Sequence, residues 1–170
     1  MWSQGKIEKF WDDEFKNLNY KREIFNNQSD IENWRNLGYK QDVELFSGMM
    51  CPFGENHPIW TDKFVKYVEE NLGLKDIGVC YYRMETGVIL PTHSDHYNVY
   101  RKKFNLELNQ IHRVLIFLED WKSGHYFEVD GQPFFNYKAG TFVAWYGNTK
   151  HMAANIGQDM RYTLQLTGWK

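Results

Sequence analysis

The chain is poor in cysteine and carries little charge imbalance. Only two of its 170 residues are cysteine, Cys51 and Cys80. Neither belongs to a Cys-x-x-Cys pair, so a disulfide framework or thiolate zinc site is excluded and a reducing compartment fits best. Both read as small core residues. Four prolines and 13 glycines are scattered, leaving no linker, repeat or low-complexity tract, so residues 1–170 read as one domain. No apolar run is longer than about six residues, far short of a membrane span. The opening Met-Trp-Ser-Gln-Gly-Lys-Ile-Glu-Lys lacks the apolar stretch of a secretion signal, so a cytoplasmic protein is expected. A net charge of −2 offers no electrostatic footprint for nucleic acid. The one basic cluster, Arg101-Lys102-Lys103, reads as a solvated loop or, being near His93 in sequence, as an attractor for an acidic substrate.

What the chain has in quantity is apolar and aromatic bulk, 42% and 18% of its residues, ample for a core and incompatible with disorder. Ile7, Phe10, Trp11 and Phe15 follow a helical stripe. Ser29-Asp30 reads as the cap of a short helix running through Trp34-Arg35 and ended by Gly38. Residues 46–60 read as an ordered loop. Thr61 starts the clearest helix, with Phe64, Val65, Val68 and Leu72 on its apolar face and Gly73 closing it. From Ile77 the period changes to that of strands: 77–84, a central 113–118, 126–129 and 134–137 as a hairpin around Asp130-Gly131-Gln132-Pro133, then 141–146 and 162–166. Short strands at this spacing, with helices massed at the N-terminus, indicate a mainly β protein: a jelly-roll, or double-stranded β-helix, core over 77–168 with a helical and irregular buttress over 1–76.

Two histidines and an aspartate carry the chemical signal. They read Pro-Thr-His93-Ser-Asp95 and Lys-His151-Met. Two imidazoles and one carboxylate can occupy one face of a divalent metal and leave the remaining positions open, which suits non-haem Fe(II). His-x-Asp alone arises readily by chance. Here it follows an apolar run and a turn marked by Gly87 and Pro91, and i, i+2 spacing puts both side chains on one side of a strand end. Downstream, Arg161-Tyr162-Thr163 opens an alternating strand, with Arg161 placed to bind a carboxylate or to pair with Asp159.

On these residues the stretch 77–168 resembles the 2-oxoglutarate- and Fe(II)-dependent dioxygenases. Their double-stranded β-helix carries His-x-Asp, a distal His, and an Arg followed by Ser or Thr. The resemblance extends to Tyr82-Arg83-Met84-Glu85-Thr86-Gly87, to Gly140-Thr-Phe-Val-Ala-Trp145 and to Asn155-x-Gly157; residues 1–76 match nothing that can be named. It implies that His93, Asp95 and His151 hold Fe(II). It also implies that 2-oxoglutarate chelates the metal while its far carboxylate meets Arg161, with a hydroxyl donated by Thr163, and that O2 takes the last position. The implied outcome is decarboxylation to succinate coupled to hydroxylation, the cofactor carrying the hard chemistry.

Gly87-(x)3-Pro91-x-His-x-Asp and His112-Arg113-Val-Leu-Ile-Phe-Leu are similar to prolyl and aspartyl/asparaginyl hydroxylases, so a peptide, protein or amino-acid side chain is the favoured substrate. The nucleic-acid demethylase branch usually has a second arginine six residues after the first, where this chain has Thr167. Tyr82 reads as a hydroxyl donor to 2-oxoglutarate or as core packing. Arg113 reads as a contact to cosubstrate or substrate, or as half of a core ion pair. His96 and His112 read as supporting or packing residues, and Trp145 as core or pocket wall; His57 and His125 receive no role. Residues 46–60 and 96–110 flank the expected pocket as candidate lids. Two other readings stay open. One is a cupin-like metal-binding isomerase or sensor that does not use 2-oxoglutarate; the other is a non-enzymatic ligand-binding barrel.

Overall fold

The computed structural model describes residues 2–52 and 54–170. Eleven strands follow one another: β1 Trp2–Lys6, β2 Lys21–Arg22, β3 Met49–Pro52, β4 Lys75–Met84, β5 Ile89–His93, β6 Ile111–Phe117, β7 His125–Val129, β8 Gln132–Pro133, β9 Thr141–Tyr146, β10 His151–Asn155 and β11 Arg161–Trp169. Three α-helices interrupt them, α1 Gln28–Asn36, α2 Thr61–Leu72 and α3 Asn98–Phe104. The strands form two sheets, ordered β1-β9-β6-β11-β4-β3-β2 and β5-β10-β7-β8, and every pairing is antiparallel. This is the double-stranded β-helix expected from the strand spacing, with β6 and β11 central in the larger sheet.

The period-2 rule gives the larger sheet two distinct faces. Leu164 and Leu166 of β11, Val79 and Tyr81 of β4 and Val114 and Ile116 of β6 point outward, where Ile7, Trp11, Phe15, Phe64 and Val68 cover them. The inward face meets the smaller sheet through Leu115, Phe117, Phe127, Val129, Val143 and Trp145. Fully burying side chains of this size contributes roughly 1.5–3 kcal/mol each. Phe117 stacks on Tyr137 with ring centroids 3.6 Å apart.

Several elements differ from the sequence expectation for identifiable reasons. The stripe Ile7–Phe15 is not an α-helix. Residues 2–6 complete the edge of the larger sheet as β1, and Ile7 N–H then donates to Gly140 O (2.9 Å). Only a 3-10 turn, Asp13–Asn17, follows, capped by the Asp12 carboxylate accepting from Glu14 N–H. Ile7, Trp11 and Phe15 are buried all the same; tertiary packing, not helical period, set their spacing. Helix α1 begins two residues earlier than read, with Asn27 accepting from Asp30 N–H as its cap. Within 46–60 lies β3, paired with β4; Phe53 falls outside the described residues. The hairpin after β7 turns on Asp130-Gly131, both at positive φ (53° and 77°), as a two-residue loop with a strand-matching twist requires. Residues 134–137 then leave the sheet, because Phe134 and Tyr137 turn into the core between the sheets. Helix α2 starts at Thr61 and closes on Gly73 at φ 67° as expected.

Both cysteines are free. Burial pushes the Cys80 thiol up to about 12, which suits an inert packing role. No helix among the described residues is long and apolar enough to cross a membrane.

Asn155 ties two turns together. It is fully buried, its Nδ2 donates to Met84 O (2.9 Å) and Asp159 O (2.8 Å), and its Oδ1 accepts from Gly157 N–H (3.0 Å). Its backbone also receives Gly87 N–H (2.8 Å). Asn155→Ala would remove three side-chain hydrogen bonds made from the interior and is expected to lower the unfolding free energy by about 2–4 kcal/mol. Urea denaturation measures it, and an unchanged midpoint would refute the clamp.

Candidate metal centre and cleft

The smaller sheet builds the centre. Strand β10 runs between β5 and β7, and its register sets His151 directly opposite His93. The two imidazoles have centroids 4.3 Å apart. Asp95 lies two residues beyond the end of β5; its Oδ1 is 3.5 Å from His93 Nε2 and its Oδ2 is 3.8 Å from His151 Nε2. One ligand atom from each of the three residues falls within 4.8 Å of the others. Ligands on one face of an octahedral cation with bonds of roughly 2.1 Å sit about 3 Å apart, so a small contraction completes the set.

Backbone carbonyls orient both rings. His93 Nδ1 is 2.8 Å from Pro91 O and His151 Nδ1 is 3.0 Å from Thr149 O. A carbonyl only accepts, so each Nδ1 carries a proton, which leaves Nε2, the nitrogen facing Asp95, as the ring atom available to a metal. Such outer partners hold metal-binding histidines in the required tautomer. Phe25 and Trp34 meet the His93 ring edge-on at 5.6 Å and 6.2 Å, and Trp34 Nε1 donates to Thr92 O (3.2 Å). Helix α1, where Trp34 sits, thereby braces the end of β5.

The electrostatics favour ligand-ready states. Burial pushes the Asp95 carboxyl up, but Arg113, His151 and His93 outweigh it and hold it well below the usual range. Burial, opposed by Asp95 and reinforced by His93, lowers His151 to about 4, so its imidazole is neutral at neutral pH. Arg113 Nη2 donates to Asp95 Oδ2 (3.0 Å) and its Nε to the Tyr97 hydroxyl (3.1 Å). Arg113 thus forms an ion pair with a triad carboxylate, and it also lines the cleft.

Across the cleft, β11 presents Arg161, Thr163 and Gln165 on one face beside His93, Asp95 and His151. The cleft encloses about 700 Å³ of space, including its open mouth. Arg161 is 4% exposed, lies over the rings of Phe117 and Phe127 (5.6 and 5.7 Å), and has no hydrogen-bond partner for Nε or Nη2 among the described residues. Asp159 pairs instead with Lys122 (3.7 Å).

Tyr82 lines the same cleft, but its hydroxyl donates to Glu23 Oε2 (3.0 Å). Trp145 is a wall residue with its ring 5.1 Å from His151. His96 contacts Asn27 (2.6 Å) at the mouth, His112 packs on Tyr146, and His125 meets Asp159 O (3.0 Å). From 96–110, Tyr97 and Asn98 line the outer groove, whereas Arg101, Lys102 and Lys103 in α3 line neither cleft nor groove.

Sequence reasoning missed Glu23, Phe25, Leu90 and Gln165 as cleft residues and reached Ser47 only as part of the flanking segment 46–60. Only Gln165 carried a usable signal, the alternation from Arg161 and Thr163. Glu23, Phe25 and Ser47 come from segments that reach the cleft only through folding.

No family model and no curated protein matches this chain in sequence. Solved structures do match in shape. A prolyl-4-hydroxylase from Pseudomonas putida aligns over 99% of this chain and 92% of its own, with a TM-score of 0.59 at 14% identity. A 2OG-Fe(II) oxygenase family oxidoreductase from Burkholderia pseudomallei aligns over 71% and 65% at 13% identity and a TM-score of 0.48. KdgF from a Halomonas species aligns over 88% and 96% at 13% identity and a TM-score of 0.44. At such identities the likeness is one of fold: this chain shares the jelly-roll architecture of the Pseudomonas putida prolyl-4-hydroxylase along nearly its whole length.

Proposed function

We propose that this chain is an Fe(II)- and 2-oxoglutarate-dependent dioxygenase that hydroxylates a peptide or amino-acid side chain of the prolyl or aspartyl/asparaginyl type. The observation that carries the reading is Arg161. A buried guanidinium without a counter-charge is strongly disfavoured, and here it lies over two aromatic rings in the same cleft as the triad. A dicarboxylate reaching from the metal to Arg161 resolves that cost through charge-assisted, bidentate contact.

The donor set fits the metal. Two imidazoles and a carboxylate suit Fe(II), and three protein ligands leave positions for a chelating cosubstrate and for oxygen. His93, Asp95 and His151 would hold the iron, and Arg161 with Thr163 beside it would hold the far carboxylate of 2-oxoglutarate. Iron and cosubstrate together would supply the oxidation, in which 2-oxoglutarate, O2 and a substrate C–H become succinate, CO2 and C–OH.

The protein's own part is positional. Arg113 fixes the orientation of Asp95 from behind. Met84, Leu90, Leu115, Phe127 and Trp145 make the cleft wall apolar, which limits water near the reacting centre. A cupin-like isomerase or sensor would use the same triad and leave Arg161 without a task.

Asp95→Ala is expected to weaken Mn(II) or Fe(II) binding by more than about a hundredfold, since even the supporting partners of metal ligands are worth that much. Titration calorimetry reads this directly, and wild-type affinity in the variant would dismiss the triad. Arg161→Ala should keep its metal but bind 2-oxoglutarate about 2–4 kcal/mol more weakly. Anaerobically, the visible charge-transfer band of the Fe(II) chelate reports that binding, and equal cosubstrate affinity would show the carboxylate assignment to be wrong.

A further inference from the structure

The cleft holds one more charge, Glu23, which the metal and cosubstrate readings leave unused. Glu23 lines the cleft together with Ser47, Tyr82 and Gln165. It also lines the groove that continues outward between residues 23–27 and 93–98. Two acids face this space. Asp95 has Arg113 against it at 3.0 Å and both histidines before it. Glu23 makes no ion pair among the described residues, and its contacts are neutral: Oε2 accepts from the Tyr82 hydroxyl (3.0 Å) and from Ser47 Oγ (3.1 Å).

Two hydroxyl donors on one oxygen orient a carboxylate without cancelling its charge, and Oε1 accepts no hydrogen bond among the described residues. Such a group is organised before any ligand arrives, so little ordering opposes binding. Its place is also informative. Phe25, two residues further on, packs edge-on against the His93 ring at 5.6 Å, so Glu23 stands on the short segment of wall that adjoins the triad. The outer groove beyond it is polar, with Asn26, Asn27, Ser94, His96 and Asn98 along it and Asp95 also in its lining. The basic cluster Arg101-Lys102-Lys103 lines none of this path, and the outer groove has no lysine or arginine among its lining residues.

We infer that Glu23 is a specificity-determining residue that receives a cationic group of the substrate, an alkylammonium or guanidinium carried near the carbon to be oxidised. The inference deepens the oxygenase reading and rests on it. A purely structural role for Glu23, latching residues 23–27 to the sheet, would need only its acceptor oxygens. Glu23→Gln separates the two, because the amide oxygen still accepts from Tyr82 and Ser47 while the charge is gone.

The test is calorimetric binding to the anaerobic Mn(II)-loaded protein, with and without 2-oxoglutarate. Three probes are used: N-acetyl-norleucine amide without a cation, N-acetyl-lysine amide with a side-chain cation, and norleucine amide with a free α-ammonium. At least one cationic probe is expected to bind tenfold or more tightly than the neutral one, and which one does so distinguishes a side-chain cation from a terminal amine. Glu23→Gln should erase that preference while its 2-oxoglutarate affinity stays at the wild-type level. Equal binding of all three probes, binding of none, or an undiminished preference in Glu23→Gln would each overturn the assignment of Glu23. Failure of 2-oxoglutarate itself to bind the wild-type protein counts against the oxygenase reading, and the probe titrations without cosubstrate still decide the role of Glu23.

Discussion

The register of β10 between β5 and β7 is the constraint on which the site depends. It sets His151 opposite His93 and turns both rings to the inner side of the smaller sheet. A slip of one residue in an antiparallel pair moves every side chain to the other face, which would send His151 outward and leave Asp95 facing one imidazole. The register is held at both ends. Asp130 N–H meets Lys150 O just before β10, and the Asn155 side chain ties its far end to Met84 O and Asp159 O. The apolar core between the sheets penalises any slip that would move Ala153 out of it.

Within the cleft, charge is divided by partner. Asp95 is stabilised as a carboxylate by Arg113 and the histidines despite the opposing cost of burial. Arg161 has aromatic faces around it and pairs with no acid among the described residues. Glu23 has hydroxyls and no cation among the described residues. Burial and the Glu23 charge push the Tyr82 phenol well above its ordinary value, so it serves Glu23 as a donor. A site with one satisfied pair and two unsatisfied charges of opposite sign is organised for ligands that bring their own charges.

Much of this was legible before folding. His93-Ser-Asp95, His151 and Arg161-Tyr162-Thr163 are short patterns in which side-chain spacing translates into a shared face. Strands β6, β9 and β11 announce themselves because buried central strands are continuous apolar runs or clean alternations. The N-terminal quarter misled. Ile7, Phe10, Trp11 and Phe15 have helical spacing, yet three of the four are buried by irregular chain laid across the outer face of the sheet, and Phe10 remains 37% exposed. Residues 2–6 look polar and unremarkable because an edge strand is stabilised by backbone hydrogen bonds to β9, which leave no mark on side-chain identity.

The sequence by itself determined the donor types, their order along the chain and the strand periodicity that brings alternate residues to one side. Those are local properties, fixed by chemistry and by the geometry of extended backbone. Only the tertiary structure decided that Arg113 pairs with Asp95, that Tyr82 serves Glu23, and that Glu23 and Phe25 belong to the cleft at all. These contacts join residues 18 to 68 positions apart, and no local pattern encodes a meeting that arises when an N-terminal strap is packed across the mouth of a barrel.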